Sequence, residues 1–336
     1  MRSCSAQANG APAVARRAQG YTPRIPARGV NDSDFDSASA VPVPYMRRTR
    51  EWYLALGYDN PYEWAHFAEV PFQALSKPLS RSRVTLITTA APYRPENGDQ
   101  GPGAPYNAEA KFYEVYSGET SVDHDLRIAH VAIDRKHTTM ADSGTWFPLP
   151  AMRDLAASGR IRLAARFHGA PTNRSQRRTT DVDAVEILRR CREDRVDAAV
   201  LVPNCPVCHQ SVSLIARHLE ANGVSTVVMG CALDIVEHCG VPRFLFSDFP
   251  LGNGAGRPND PASQLTTLEL ALGLLETAAG PRTTLRSPLR WSSTEDWKLD
   301  YSNVELLTPD ELTSLRVEFD RGRAAARSIR EATSAR

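Results

Sequence analysis

The chain has 336 residues, of which 42% are hydrophobic and 24% are charged, and these proportions predict a globular protein with a buried core. The formal net charge of +1 argues against a nucleic-acid partner or an acidic membrane surface. No apolar run approaches the roughly 18 residues that a membrane-spanning helix needs, so we expect no membrane partner.

The N-terminal part differs in composition from the rest of the chain. Residues 1–44 are rich in Ala, Ser, Pro, Gly and Arg, and this composition predicts a disordered extension. A continuous apolar segment typical of a secretory signal is missing, so we expect a cytoplasmic protein. Residues 45–80 combine a short helix with Trp64 and Phe67 between prolines, and they are predicted to be an arm packed on the core.

Residues 81–280 alternate short β-branched segments with amphipathic ones. The predicted strands cover 83–89, 127–133, 198–202, 225–229 and 244–246, and the predicted helices begin near 150, 181, 205, 234 and 260. This alternation predicts an α/β fold, doubly wound, with a mostly parallel sheet and helices on both faces. Residues 281–336 are predicted to be a C-terminal extension with a charged helix that begins at a capping box, Thr308 to Glu311.

A Cys-x-x-Cys motif, Cys205 and Cys208, lies between the predicted strand 198–202 and the helix that follows it. Ligands of open α/β sheets bind beyond the carboxyl ends of the strands. The free amides of the first helical turn stabilise a thiolate, which is the nucleophilic form of cysteine. The spacing lets Cys208 attack a bond formed at Cys205 and release the product as a disulfide is made. We therefore predict that Cys205 is the nucleophile and that Cys208 resolves the intermediate.

Other candidate residues follow the predicted strands. Histidines there could move protons, and loops at strand ends concentrate functional groups. The candidate proton-transfer residues are His137 and His209, and the candidate substrate-binding residues are His130, Asp134, Arg135, His168, Asn173, Arg174, Asn204, Pro250, Leu251, Gly252 and Asn253. For His130 a satisfied core histidine, and for the segment around Gly252 a plain loop, are the alternative interpretations.

A Cys-x-x-Cys pair can also be half of a zinc site. The additional ligands would be His209 with Cys231 or Cys239, which would complete the set begun by Cys205 and Cys208. Cys231 and Cys239 are eight residues apart, which is not a usual zinc-knuckle spacing. Zinc therefore stays an alternative to a redox-active or nucleophilic thiol pair.

From about residue 83 to residue 258 the sequence resembles the component B selenoprotein family of glycine, sarcosine, betaine and D-proline reductases. The matching blocks are TWFPL at 145–149, RDL at 153–155, GRI at 159–161, VDAAVL at 196–201, EANGV at 220–224 and PLG at 250–252. In that family the strand-to-helix turn carries selenocysteine, two residues and then cysteine. The match puts Cys205 at the selenocysteine position, Cys208 at the following cysteine and Ser211 where the family has a further cysteine.

The resemblance implies an oxidoreductase, a thiol-dependent reductase that cleaves a carbon–heteroatom bond of a small amino-carboxylate-like substrate. The family displaces an amine, and a sulfur nucleophile implies that nitrogen, sulfur or halide could be the leaving group here. No bound cofactor is expected, and an external thiol or a thioredoxin-like protein would supply electrons. A metal-dependent enzyme and a non-catalytic subunit of a larger complex remain alternatives. We also expect a homo-oligomer.

Overall fold

The computed structural model describes residues 41–59, 62–104, 106–128, 130–172 and 175–334. The predicted N-terminal extension, residues 1–44, therefore lies almost entirely outside the described residues. Asn173 and Arg174, which we predict to bind substrate, also lie outside them. No helix within the described ranges is both long enough and apolar enough to cross a membrane.

The regular elements of the described residues follow one another as helices and short strands. The α-helices are Tyr45–Ala55 (α1), Leu149–Ala157 (α2), Gln176–Arg178 (α3), Ala184–Glu193 (α4), Pro206–Glu220 (α5), Leu233–Cys239 (α6), Pro261–Thr277 (α7), Trp297–Asp300 (α8) and Pro309–Ser334 (α9). The strands are Arg83–Thr88 (β1), Ala91–Pro92 (β2), Tyr116–Glu119 (β3), Leu126–Arg127 (β4), Arg162–Leu163 (β5), Arg166–Gly169 (β6), Ala198–Val202 (β7), Ser225–Gly230 (β8), Arg243–Phe246 (β9) and Thr283–Arg286 (β10).

The main sheet has the strand order β10-β9-β8-β7-β1-β6-β3, and β5 pairs with β1 beside β6. All of its pairings are parallel except that of β3 with β6. Strands β1 and β7 are paired from Val84 with Ala198 to Thr88 with Val202. This register brings the carboxyl ends of the two central strands together, at the edge where ligands of such sheets bind.

Apolar side chains cover both faces of the sheet. Val200 of β7 packs in one cluster with Leu149 of α2 and Leu268 of α7, whereas the next residue, Leu201, packs in another with Ile187 of α4. Alternate residues of a strand point to opposite faces, so β7 is buried on both and reads as a continuous apolar run. The predicted α/β class with a mostly parallel sheet and helices on both faces is confirmed.

The segment 62–78 has no regular structure, and it is hydrogen-bonded to α5 and to the start of β8. The Ala65 amide donates to Gln210 Oε1 at 2.7 Å, Arg217 donates to the Glu69 carbonyl at 2.8 Å, and the Ser225 hydroxyl donates to the Gln73 carbonyl at 2.9 Å. Polar side chains of α5 and the start of β8 therefore satisfy backbone groups that an irregular segment leaves unpaired.

The sequence prediction is wrong in one strand and incomplete in others. The strand expected over 127–133 is only Leu126–Arg127, because the next loop pairs its carbonyls with a guanidinium. Arg135 donates to the carbonyls of Ala104, His130 and Val131 at 2.8–3.1 Å, so these groups need no strand neighbour. Strands β3 and β10 lie at the two ends of the sheet order, where a short and partly exposed strand gives a weak apolar pattern.

Candidate functional site

The two thiols of the Cys-x-x-Cys motif are in contact at the start of α5. The sulfurs of Cys205 and Cys208 are 2.6 Å apart, and the Cys208 amide donates to the Cys205 sulfur at 3.2 Å. Cys205 is the N-cap of this 15-residue helix, and Pro206 occupies its first turn, where a missing N–H is no loss. Cys205 is 7% exposed and Cys208 is fully buried. Cys205 is therefore the more accessible of two adjacent sulfurs.

The contact makes the two thiols titrate as a pair. Burial raises the pKa of Cys205, and the neighbouring Cys208 sulfur raises it further. Burial alone would also raise the pKa of Cys208, but the hydrogen bond from Cys205, together with His130 and Thr89, lowers it well below the ordinary thiol value. The pair therefore loses its first proton easily and its second with difficulty.

Groups from two other segments lie beside the thiols. A ring nitrogen of His130 and the sulfurs of Cys205 and Cys208 all lie within 4.8 Å of one another. Thr89, just beyond β1, accepts hydrogen bonds from the Asn204 amide and side chain at 3.1 and 3.0 Å, which leaves its own proton free for Cys208. Asn204 thus acts on the thiols through Thr89. Thr89 was not among the predicted residues, although its position after a central strand was a usable signal.

His209 is fixed between two turns of the backbone. Its Nδ1 donates to the Cys205 carbonyl at 2.8 Å, and its Nε2 accepts from the amides of Cys231 and Ala232 at 3.0 and 3.2 Å. Burial lowers its pKa to about 4, so the ring is neutral near pH 7. Because both ring nitrogens already have backbone partners, this histidine joins the thiol turn to the turn after β8.

The loop after β9 lies against the turn that follows β8. The Pro250 carbonyl accepts from the Asn253 side chain at 2.9 Å, and it is 3.9 Å from the Cys231 sulfur. Gly252 has φ of +111°, and a β-carbon there would lie 2.6 Å from Cε of Met140. The positive φ and the contact with the end of the Met140 side chain both favour glycine at this position.

His137 is held by carboxylates. Its Nδ1 lies 2.8 and 2.9 Å from the two oxygens of Asp134, and its Nε2 lies 3.6 Å from Asp300 of α8. Burial raises the pKa of Asp134, and His137 opposes that rise. The Asp134 amide donates to the Leu251 carbonyl at 3.1 Å, which ties this loop to the one after β9. Asp134 and His137 thus connect three segments around the thiols.

His168 and Cys239 have their partners elsewhere. His168 Nδ1 pairs with the Ser117 hydroxyl at 2.8 Å, Nε2 lies 3.9 Å from Asp194, and burial lowers the pKa of the ring to about 4. Cys239 packs with Ala65 in a separate small cluster. Within the described part of the chain, the one group with metal-ligand spacing combines the thiols with His130, and it includes neither His209, Cys231 nor Cys239.

A cavity of about 130 Å³ lies beside the loop that carries His130. Arg127, Arg135, Gln100 and Ser143 line it together with Met140, which packs in the same apolar cluster as Cys205 and Cys208. Lys111, which sequence reasoning also missed, lies near enough to Cys205 for its charge to lower the pKa of that thiol, against the larger effect of burial. The cavity thus carries two guanidinium groups, and Lys111 adds a positive charge near Cys205.

Two curated proteins are similar to this chain. The D-proline reductase subunit gamma of Acetoanaerobium sticklandii is 29% identical over 195 residues, which cover 56% of this chain and 76% of the relative. The glycine reductase complex component B subunit gamma of Symbiobacterium thermophilum is 24% identical over 211 residues, which cover 60% of this chain and about half, 48%, of the relative. No protein-family model matches the chain, and no solved structure matches it. The resemblance to the reductase component B family seen in the sequence blocks is thereby confirmed: the chain is similar to one subunit of D-proline reductase and to one of glycine reductase component B.

Proposed function

We propose that the chain is a thiol-dependent reductase that cleaves a carbon–heteroatom bond of a small carboxylate. The observation that carries this proposal is the contact of the Cys205 and Cys208 sulfurs at a helix N-terminus, 2.6 Å apart and beside His130. A pair of this kind holds a thiolate ready for attack and a second thiol in reach of the resulting bond. The relatives, which are named as reductase subunits, support the reaction class.

The proposed cycle has two displacement steps. The Cys208 thiolate takes the proton of Cys205, and the Cys205 thiolate so formed attacks the substrate carbon. A C–S bond forms, and the C–X bond breaks as X leaves with that proton, which His130 relays from Cys208. The Cys208 thiolate then attacks the Cys205 sulfur, the S–S bond forms, and the carbon leaves as a carbanion that takes up a proton. An external dithiol or a thioredoxin-like protein reduces the disulfide, so the sum is R–X plus two electrons and two protons giving R–H and HX.

The proton donor in this proposal is His130. Its ring lies beside both sulfurs, whereas both ring nitrogens of His209 have backbone partners and His137 lies between two carboxylates. His209 is accordingly a positioning residue for the thiol turn. The neighbouring cavity is lined by the guanidiniums of Arg127, which pairs with Asp125, and Arg135, which holds three backbone carbonyls. Their positive charge favours the carboxylate of a small substrate.

The test uses reduced protein, a dithiol and a panel of small carboxylates that carry an amino, methylamino, thioether or halide group on the α-carbon. Substrate-dependent dithiol oxidation is measured together with the intact mass of the protein. We expect turnover by the wild type, none by Cys205→Ser, and a stable adduct on Cys205 in Cys208→Ser. Cys191→Ser is the matched control, because this buried cysteine packs on the opposite face of the sheet. Undiminished turnover by Cys205→Ser would refute the proposal.

A second candidate function is that of a subunit that acts only within a complex, since both relatives are named as subunits. The isolated chain would then form no substrate adduct, and its Cys205 would alkylate no faster than a free cysteine. Affinity purification of the tagged chain from its own cells, followed by the same adduct assay on the complex, separates the two. An adduct formed by the isolated chain excludes this second function.

A further inference from the structure

The three groups around the thiol pair have the chemistry of a metal site. Cys205, Cys208 and His130 offer two sulfurs and one imidazole nitrogen, all within 4.8 Å of one another. All three groups are buried: His130 is 5% exposed, Cys205 is 7% exposed and Cys208 is 0% exposed. Two soft sulfurs with one imidazole form a donor set that selects Zn²⁺ over Mg²⁺ or Ca²⁺.

A second observation, at His130 itself, points to a ligand. Its Nε2 pairs with the Thr172 hydroxyl at 2.9 Å, whereas its buried Nδ1 has no hydrogen-bond partner among the described residues. A buried polar atom without a partner is costly, and an ion bound at this place would supply the missing partner. A metal-ligating histidine characteristically binds the metal through one ring nitrogen while the other is held by a hydrogen bond, as Thr172 holds it here.

We infer that the reduced Cys205–Cys208 pair and His130 bind one Zn²⁺ ion. Zn–S bonds of about 2.3 Å in tetrahedral geometry place two sulfurs about 3.8 Å apart. The sulfurs are now 2.6 Å apart, so binding requires side-chain rotation that separates them by about 1 Å. The two thiols give up their protons to the solvent as they bind, and no electrons are transferred.

The bound ion would suppress thiol chemistry. It occupies the same sulfur lone pairs that attack a substrate carbon, and the disulfide form offers no thiolate to the metal. Three protein ligands leave a fourth position for water. Zinc binding and the reductive cycle are therefore alternative states of one site, and the ion protects the reduced pair from oxidation. This inference rests on the ligand geometry, and it holds whatever substrate the thiols act on.

The experiment uses full-length protein that has been reduced and stripped of metal with a chelator. Cobalt(II) is titrated in first, because thiolate ligation gives it a charge-transfer band, and Zn²⁺ is then added in competition with a chromophoric chelator. We expect one equivalent of either metal and at least 10-fold slower alkylation of Cys205 with Zn²⁺ bound. His130→Ala is expected to weaken binding by at least about 10–100-fold, which is the loss that removal of a mere hydrogen-bond partner of a metal ligand causes.

Two variants complete the test. Cys208→Ser is expected to lose binding almost completely, whereas Cys191→Ser, the same substitution outside the group, is expected to bind as the wild type does. Absence of stoichiometric binding, or affinity unchanged in His130→Ala with a normal circular dichroism spectrum, overturns the inference. The reductive cycle is assayed separately with a metal chelator present. A working cycle without metal binding refutes only the zinc site, and metal binding without a cycle refutes only the reductase proposal.

Discussion

Removal of the His209 side chain tests whether this residue holds the thiol turn. His209→Ala leaves the amides of Cys231 and Ala232 without their acceptor in a fully buried place, whereas the Cys205 carbonyl keeps the backbone amide of residue 209 at 3.0 Å. A buried backbone group that loses its partner costs about 1–3 kcal/mol, so two such groups give about 2–6 kcal/mol. A typical domain is stable by only about 5–15 kcal/mol, and the loss should therefore be plain.

Two conservative variants divide this loss. The amide oxygen of His209→Gln reaches about as far as Nε2, so it can still accept from Cys231 or Ala232, and about 1–3 kcal/mol is expected for the one amide that is left over. The side chain of His209→Asn reaches only as far as Nδ1, so both backbone amides lose their acceptor, at about 2–6 kcal/mol. The expected order of stability is wild type, then Gln, then Asn and Ala with similar losses.

The assay is urea-induced unfolding at neutral pH, followed by far-ultraviolet circular dichroism. His66→Ala is the control, because His66 is exposed and its Nδ1 pairs with a single carbonyl, that of His238. A surface change of this kind should stay within about 1 kcal/mol. Equal stability of the Ala and Gln variants of His209, or a loss of less than about 1 kcal/mol in His209→Ala, would refute the reasoning.

Two further predictions concern other positions in the fold. Burial lowers the pKa of His168 to about 4 in the folded chain, so the unfolded chain takes up a proton at this residue more readily than the folded chain does. The folded chain is therefore most stable above about pH 6.5, and it loses stability as the pH falls toward 4. The unfolding free energy of the wild type should therefore decline relative to His168→Gln by up to about 3 kcal/mol over that window. Gly252→Ala should lower stability by about 1–3 kcal/mol, because φ is unfavourable for a side chain and the new β-carbon would meet Met140.

A specific outcome would refute each of these two predictions. Parallel stability curves for the wild type and His168→Gln between pH 6.5 and 4 would show that the histidine is not held neutral by burial. Gly159→Ala is the control for Gly252→Ala, since Gly159 also has positive φ, +79°, but has no atom within 4 Å of its β-carbon position. Equal losses in the two glycine variants would mean that the contact with Met140 contributes nothing.

The position of the thiols could be predicted because it depends on local patterns. The buried run 198–202, the Pro206 at the first helical position and the carboxyl-end rule together place Cys205 and Cys208 where the structure has them. The family resemblance added the expected identity of the attacking residue. The helix near 181 was also expected, although in the structure a π-helical turn, Thr179–Asp183, precedes α4.

The surroundings of the thiols could not be predicted in the same way, because they depend on contacts between distant segments. His130 was identified as a candidate, but a strand was expected around it, and its position depends on the guanidinium of Arg135. Thr172 and Thr89 resemble any threonine near a strand end in the sequence. The partners of His209 are backbone amides 22 and 23 residues away, which side-chain patterns do not report.

The resemblance puts Cys205 at a selenocysteine position, and a sulfur nucleophile there would need supporting groups. A thiolate forms less readily than a selenolate, and here a second thiol, Thr89 and His130 all favour the ionised pair. Ser211 stands where the resemblance has a further cysteine, and its buried hydroxyl has no partner among the described residues. The pair alone then has to carry both electrons of a reductive cycle. Since Cys205 is its more exposed sulfur, substrate and reductant would have to reach the same atom in turn.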